Sequence, residues 1–330
     1  MPEAGHRRSH LQAPIGSAAT PELAAAVADA GGLGMLALTG LTEAEAVDWV
    51  RRVRQATNRP FGVNFVLDFP ITDTLAACLD EGVPVVSTFW GDPATVTGRI
   101  HPAGALHLHV VGSVEEASRA VDAGVDIVVA QGWEAGGHVR GQVTTLALVP
   151  AVVDAVDPVP VIAAGGIGDG RGLAAVLALG AQAGRLGTRF LTAVEALTHD
   201  IHRRRVIEAA AQDAVYTRCF DDRWPNAPHR AIRNSTLSQW EAAGSPTAPR
   251  RPGENEMVAT DTSGRTRLRY GVGMPLAGMT GDTEAMPLYA GQSAGLIREI
   301  APAAQIVTAI AIQAGQIIEA LRQRPSTTAR

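Results

Sequence analysis

The stretch "VPVIAAGGIGDGRGLAAVLALGAQAGRLGTRFL", Val159–Leu191, decides the fold. It begins with an apolar run that ends in Gly165-Gly166. A helical pattern, "GRGLAAVLALGA", follows. A second apolar run, "AGRLGTRFL", then carries Gly187-Thr188. The apolar runs are continuous rather than alternating, as expected of strands buried on both faces. Strand, helix and strand, each strand ending in glycine, is the repeating unit of a parallel α/β fold.

The same unit recurs upstream. "HLQAPI" (His10–Ile15), "LGMLAL" (Leu33–Leu38), "FGVNFVL" (Phe61–Leu67), "VPVVSTFW" (Val83–Trp90), "ALHLHVV" (Ala105–Val111) and "DIVVAQG" (Asp126–Gly132) read as strands one to six. Helical patterns separate them. Thr20 is an N-cap with Pro21 at the first helical position, Thr42 begins a second helix, and Ser113 with Glu116 reads as a capping box. With strands seven and eight the total is eight, more than open doubly wound sheets usually have. The first strand-to-helix turn, "APIGSAATPEL", lacks the G-x-G-x-x-G fingerprint of such sheets. The expected fold is therefore a (β/α)8 TIM barrel.

Composition agrees and excludes several functions. The 330 residues suffice for one large barrel, and only 4% are aromatic, so small aliphatics pack its layers. The net charge of −5 disfavours nucleic acid and anionic membrane surfaces as partners. The chain has no lysine, which excludes a Schiff-base or Walker-type lysine. Cys78 and Cys219 have no metal-like spacing. The N-terminal "MPEAGHRRSHLQAPIG" has no apolar leader core, and no apolar run is long enough to span a bilayer. A reduced, cytoplasmic protein is expected.

After Leu191 the character changes. "VEALTHDIHRRRVIEAA" reads as a charged helix with His199 and His202 on its surface. Tyr216 to Tyr289 is rich in Pro, Gly and Arg and reads as a smaller inserted C-terminal cap subdomain. Ser293–Arg322 is again helical and returns to the barrel.

Chemistry in such barrels sits at the C-terminal ends of the strands. Glycines after strands seven and eight (Gly165, Gly166, Gly187) with the hydroxyl of Thr188 suit a phosphate, because backbone N–H groups without side chains can approach its oxygens. Asn64 and Gln131 are neutral amides at strand ends, suited to a ring with mixed donor and acceptor edges. The loop "AQGWEAGGHVRG" (Ala130–Gly141) presents His138 after two glycines, as a proton acceptor or an anion partner. It holds no cysteine, which disfavours a cysteine-nucleophile dehydrogenase of the inosinate type. His107 and His109 alternate on strand five and read as packing.

These blocks together resemble the nitronate monooxygenase family, formerly the 2-nitropropane dioxygenases. The resemblance rests on "QAPIG", "PFGVNF", "AQGWEAGGHVRG", "AAGGI", "GTRFL" and the late "LYAGQSAGLI". It implies non-covalent FMN, with Ala13, Asn64, Gln131, Gly137, Gly165, Gly166, Gly187 and Thr188 at the binding positions and His138 as the catalytic residue. The implied reaction turns alkyl nitronates or nitroalkanes and O2 into carbonyl compounds and nitrite. An FMN-dependent NAD(P)H reductase of the enoyl-acyl-carrier-protein type and a non-catalytic flavin-binding scaffold are the alternatives. The implied division is an FMN-binding barrel over 1–215, a cap that meets the substrate over 216–290, and a returning helix over 291–330. A small-molecule substrate and O2 are the expected partners, and the oligomeric state stays open, a homodimer included. The chain departs from the pattern at Trp133, where the family usually has a small residue, at Gln182-Ala183-Gly184-Arg185, where it tends to have an acidic residue, a glycine, an apolar residue and Gln, and in lacking the C-terminal lysine of some relatives.

Overall fold

The computed structural model describes residues 10–323; the segment 1–9, read above for a leader, lies outside them. Strands form in the order β1 (His10–Gln12), β2 (Gly34–Ala37), β3 (Phe61–Val66), β4 (Val85–Phe89), β5 (Leu106–Val111), β6 (Ile127–Gln131), β7 (Gly137–His138), β8 (Val161–Ala164) and β9 (Ala183–Leu186). Without β7, these eight strands make one parallel sheet in the order β1-β9-β8-β6-β5-β4-β3-β2. Backbone bonds from Gln12 N–H to Leu33 O and from Leu33 N–H to His10 O bring the two ends together (3.0 and 3.4 Å). The result is a TIM barrel.

The helices begin where local chemistry tells them to. The Thr20 hydroxyl accepts from Leu23 N–H at 3.0 Å, and Pro21 takes the first helical position. Thr42 and Glu45 form a full capping box. The box at Ser113 is only half formed. Ser113 accepts from Glu116 N–H, but the Glu116 carboxylate turns to Gly112 N–H and to Arg140, both at 2.8 Å. The arginine of the His138 loop outcompetes the local cap because its bond is charge-assisted.

Side chains alternate between the barrel interior and the helix layer. Leu11, Val85, Leu108, Val110, Val129, Ile162 and Ala183 fill the interior. Val128, Ala130, Val161 and Ala163 face the helices. The apolar run "AGRLGTRFL" is a strand only to Leu186; Thr188–Leu191 turns into a short helix. The charged helix is shorter than its pattern, Asp200–Glu208. His202 is fully buried on that helix, not on the surface. It is one turn before the buried Val206, and its Nε2 lies 3.0 Å from Tyr289 O.

The rest of the chain builds two small antiparallel sheets. β10 (Ala214–Thr217), β11 (His229–Ile232) and β15 (Leu288–Tyr289) pair in that order, and β7 joins the other end of β11. β12 (Met257–Thr260) pairs with β13 (Thr266–Leu268) and β14 (Thr280–Gly281). The final helix, Ala303–Arg322, packs along the helices Gly170–Ala178 and Pro21–Asp29, and Gly170 N–H donates to Gln313 Oε1 at 2.7 Å.

Candidate active site

The loop from Gln131 to Arg140 is tied down at nearly every residue. The Gln131 amide spans it, donating to His138 O at 3.1 Å and accepting from Arg140 N–H at 3.2 Å. Gly132 N–H donates to Ala164 O, and a Cβ at Gly132 would overlap Thr145. The Glu134 carboxylate accepts from both the N–H and the hydroxyl of Thr145 (2.9 and 3.0 Å), capping the helix Thr145–Val156. Gly136 and Gly291 meet backbone to backbone, so neither can carry a side chain.

Trp133 packs away from His138. Its ring lies 4.4 Å beneath the guanidinium of Arg230, and its carbonyl accepts from the same group at 2.8 Å. Arg230 also donates to Ala214 O at 2.8 Å. The bulky residue thus latches the loop to the sheet of β10 and β11.

β7 then pairs with β11, His138 opposite His229 and Gly137 opposite Arg230. Gly137 has φ +70°, which favours glycine. The His138 ring is walled by Trp224 at 4.0 Å between centroids, His229 at 5.5 Å, Tyr289 at 5.7 Å and Trp90 at 6.1 Å. Trp90 holds an unusual positive φ of 63° at the end of β4. Trp224 is anchored by its Nε1, which donates to Asp68 at 3.1 Å. His138 Nε2 is buried without a hydrogen-bond partner. Burial, and then the neighbouring His229, push its pKa down to about 3, so the imidazole is neutral.

The glycine rim follows strands β8 and β9, with Gly165 and Gly166 against the Gly132–Ala135 part of the His138 loop. Gly165 and Gly166 have φ +97° and +73°. A Cβ at Gly165 would lie 2.7 Å from Gly132 O, so the pair is required by the turn as well as suited to a ligand. Thr188 follows Gly187 at the start of its short helix, but its hydroxyl oxygen accepts from Gly291 N–H at 2.9 Å, leaving the O–H to donate elsewhere. Ala13 N–H is taken by Leu186 O at 2.7 Å. Asn64 is buried on the inner wall with its Oδ1 unpartnered. That orphaned acceptor, together with the bare glycine backbone at Gly165 and Gly166, fits a phosphorylated cofactor with a polar ring.

Sequence reasoning placed His138, Asn64, Gln131 and the glycines on one rim. It missed Trp90, Trp224, His229 and Tyr289, which come from three separate segments. It set His107 and His109 aside as packing, and the structure ties both to the Thr88 hydroxyl (2.7 and 2.8 Å). Burial pushes their pKa values down, to about 3 and about 4. Cys78 and Cys219 are buried thiols, and burial pushes that of Cys78 up to about 12.

An aromatic-walled imidazole and a glycine rim, both at the C-terminal ends of a parallel barrel's strands, make a candidate barrel enzyme site. The comparisons make the class an oxidoreductase, and then narrow it. The nitronate monooxygenase family model matches residues 9–73 and 70–313, and the chain belongs to that family. It is 33% identical to the (3aS,4S,5R,7aS)-5-hydroxy-7a-methyl-1-oxo-octahydro-1H-indene-4-carboxyl-CoA dehydrogenase of Mycobacterium tuberculosis, over 92% of each chain. Among solved structures it resembles FabK from Thermotoga maritima (TM-score 0.83, 35% identity, 96% of this chain and 95% of that one). It also resembles the nitroalkane oxidase of Streptomyces ansochromogenes (TM-score 0.80, 32% identity, 94% and 97%).

Proposed function

We propose that the protein holds FMN at the barrel mouth and oxidises alkyl nitronates or nitroalkanes with O2 to carbonyl compounds and nitrite. The observation that carries this reading is His138 Nε2, a buried, neutral and unpartnered nitrogen on a ring walled by aromatic side chains. A neutral imidazole can take the α-proton of a nitroalkane at Nε2. The imidazolium so formed then lies beside the nitronate anion and stabilises it. A dry wall of Trp90, Trp224 and Tyr289 strengthens that pairing and keeps water away.

Gly165, Gly166, Gly187 and Thr188 would hold the phosphate of FMN, with Ala13 and Gly137 lining the approach. Asn64 and Gln131 would meet the ring edge. Bound there, FMN supplies the electron acceptor that passes electrons on to O2. On this reading the barrel up to residue 215 binds the cofactor, 216–290 is the cap that sets substrate choice, and the segment from 291 returns to the barrel.

A second reading, an FMN-dependent NAD(P)H reductase of enoyl thioesters, is favoured by the likeness to FabK. The two separate under anaerobic mixing. The yellow protein is mixed with propionate 3-nitronate and, separately, with NADH. Fast flavin reduction by the nitronate alone supports the first reading. Fast bleaching by NADH alone moves the assignment to the second. Colourless protein that takes up no FMN overturns both.

A further inference from the structure

The structure buries five arginines, at 185, 189, 230, 251 and 269. Three pair with a carboxylate, and Arg230, whose Nε is also unpartnered, is held by carbonyls and lies over the rings of Trp133 and Tyr216. Arg189 reaches Thr192 and Glu299, Arg230 binds two carbonyls, Arg251 pairs with Asp221 and Glu254, and Arg269 pairs with Glu256. Arg185 is different. It is 4% exposed, and among the described residues no carboxylate pairs with it. One terminal nitrogen donates to Ser87 Oγ at 3.2 Å, and Nε is buried without a partner.

Its direction is fixed by the strand. Ala183, two residues earlier on β9, belongs to the barrel interior, so Arg185 points inward as well. The side chain crosses from β9 to Ser87 on β4, whose register partner on β3 is Asn64. The barrel interior thus holds an unpartnered donor, Arg185 Nε, and an unpartnered acceptor, Asn64 Oδ1, on walls that the Arg185 side chain bridges. Arg185 pairs in register with Ala164, the residue before Gly165, and lies two residues before Gly187. Arg185 therefore lies directly inside the glycine rim, and its guanidinium reaches the wall that carries Asn64.

A buried, uncompensated cation is destabilising, and an apolar residue of similar volume would be more stable there. We propose that Arg185 is a ligand-facing charge: it sets a fixed cation against the pyrimidine edge of the FMN ring and stabilises the reduced, anionic ring. This rests on the flavin reading above. When the ring accepts two electrons from the substrate and one proton at N5, one negative charge is left over N1 and the C2 carbonyl. A guanidinium facing that edge favours the reduced form and orients the ring through planar donors. Burial lowers the Arg185 pKa only to about 10, so the group stays charged at neutral pH. Asn64 Oδ1 is then free to accept from the ring N3–H.

The test uses the FMN-loaded full chain as wild type, Arg185→Lys, Arg185→Gln and Arg185→Met. Flavin content, the reduction equilibrium against a reference dye, and the affinity for sulfite are measured. Sulfite adds at N5 and leaves the same charge at N1, so it reports the local field without turnover. The Gln and Met variants should shift the reduction equilibrium toward the oxidised form at least tenfold, about 30 mV for a two-electron couple. Their sulfite binding should weaken at least tenfold, while Lys stays within about threefold of wild type. The FMN-free Met variant should melt no lower than FMN-free wild type, because it loses an unpaired buried charge. FMN-loaded Gln and Met variants with wild-type equilibria would overturn the proposal. So would an FMN-loaded Lys variant whose equilibria shift tenfold from wild type, an arm that stands even if Gln and Met lose the flavin. A wild type that binds no FMN overturns the flavin reading itself, a result distinct from either.

Discussion

The two halves of the site are built on opposite principles. The rim at β8 and β9 is made by leaving side chains out: Gly165, Gly166 and Gly187 expose backbone, and Gly165 has no room for a Cβ. The wall around His138 is made by putting bulk in: Trp90, Trp224, His229 and Tyr289 arrive from three segments and close over one imidazole. The rim should therefore fail when an atom is added, and the wall when atoms are removed. Each change below tests that asymmetry.

The largest effect is expected at His138, the one reactive group of the wall. His138→Ala should lower kcat with nitronate by about 10²–10⁴-fold, the range for loss of a positioned acid or base. Flavin content should stay near wild type, since Nε2 bonds to nothing in the protein, while loss of the ring's packing lowers the melting temperature. Steady-state kinetics beside a flavin spectrum check both. A variant that keeps its rate would remove the histidine from the mechanism.

Arg230 comes next, as the latch between wall and loop. Arg230→Met leaves Trp133 O and Ala214 O without their donor and uncovers the Trp133 ring. Two buried carbonyls left unpaired should cost about 2–4 kcal/mol. Urea unfolding of the variant measures it. A loss below about 1 kcal/mol would mean that Trp133 holds the loop by packing alone.

On the rim, Gly165→Ala must accept φ +97° and a Cβ 2.7 Å from Gly132 O. Strain of about 1–3 kcal/mol is expected. It should appear as weaker FMN binding, because the turn opens most easily on its ligand side. Gly187→Ala is the contrast. Gly187 has a negative φ of −108°, and its added Cβ meets Ala13 only at an ordinary 3.5 Å, so the protein itself tolerates it. Any loss of FMN in that variant reports the ligand directly. Titration of the FMN-free proteins with FMN separates the two.

The same asymmetry explains what the sequence could tell. The rim is local: each glycine follows its own strand within two residues, and the strands announce themselves as apolar runs. The barrel and the positions of Asn64, Gln131 and His138 were legible for that reason. The wall is not local. Trp224 and His229 lie in "DDRWPNAPHR", which reads only as loop, because nothing in it encodes that His229 will pair with His138 some ninety residues away. His202 was misplaced for a related cause. Its helix is charged on most faces, and only the pairing of His202 with Val206, one turn on, marks the buried stripe. Arg185 stood out as a departure from the family pattern, yet its lack of a partner is visible only once the barrel closes.

The smallest effect, and the most diagnostic one for the wall, is expected at Trp224. Its half-buried ring stacks on His138 at 4.0 Å and shields Nε2 from water. Trp224→Ala should cost only a few-fold in rate, because the base and the flavin cradle remain. It should, however, move the His138 pKa. Desolvation is the larger cause of the depressed value, and His229 the smaller. Letting water in relieves the first, so the pKa rises from about 3 toward the ordinary 6.5. A base works only when unprotonated, so the acid limb of kcat/KM moves to higher pH. In wild type that limb is hidden. His107, His109, His202 and His229 are also held neutral by burial, with values of about 3 to 4. Their folded pKa values lie below the unfolded 6.5, so the stability they contribute is complete above that pH and is lost as pH falls toward 4. Wild-type activity should therefore stay flat until the fold itself gives way. Trp224→Ala should lose activity between pH 6.5 and 5 while its circular dichroism remains native. If the limb does not move, water already reaches Nε2 past the tryptophan, and the wall is a packing device rather than a desolvating one.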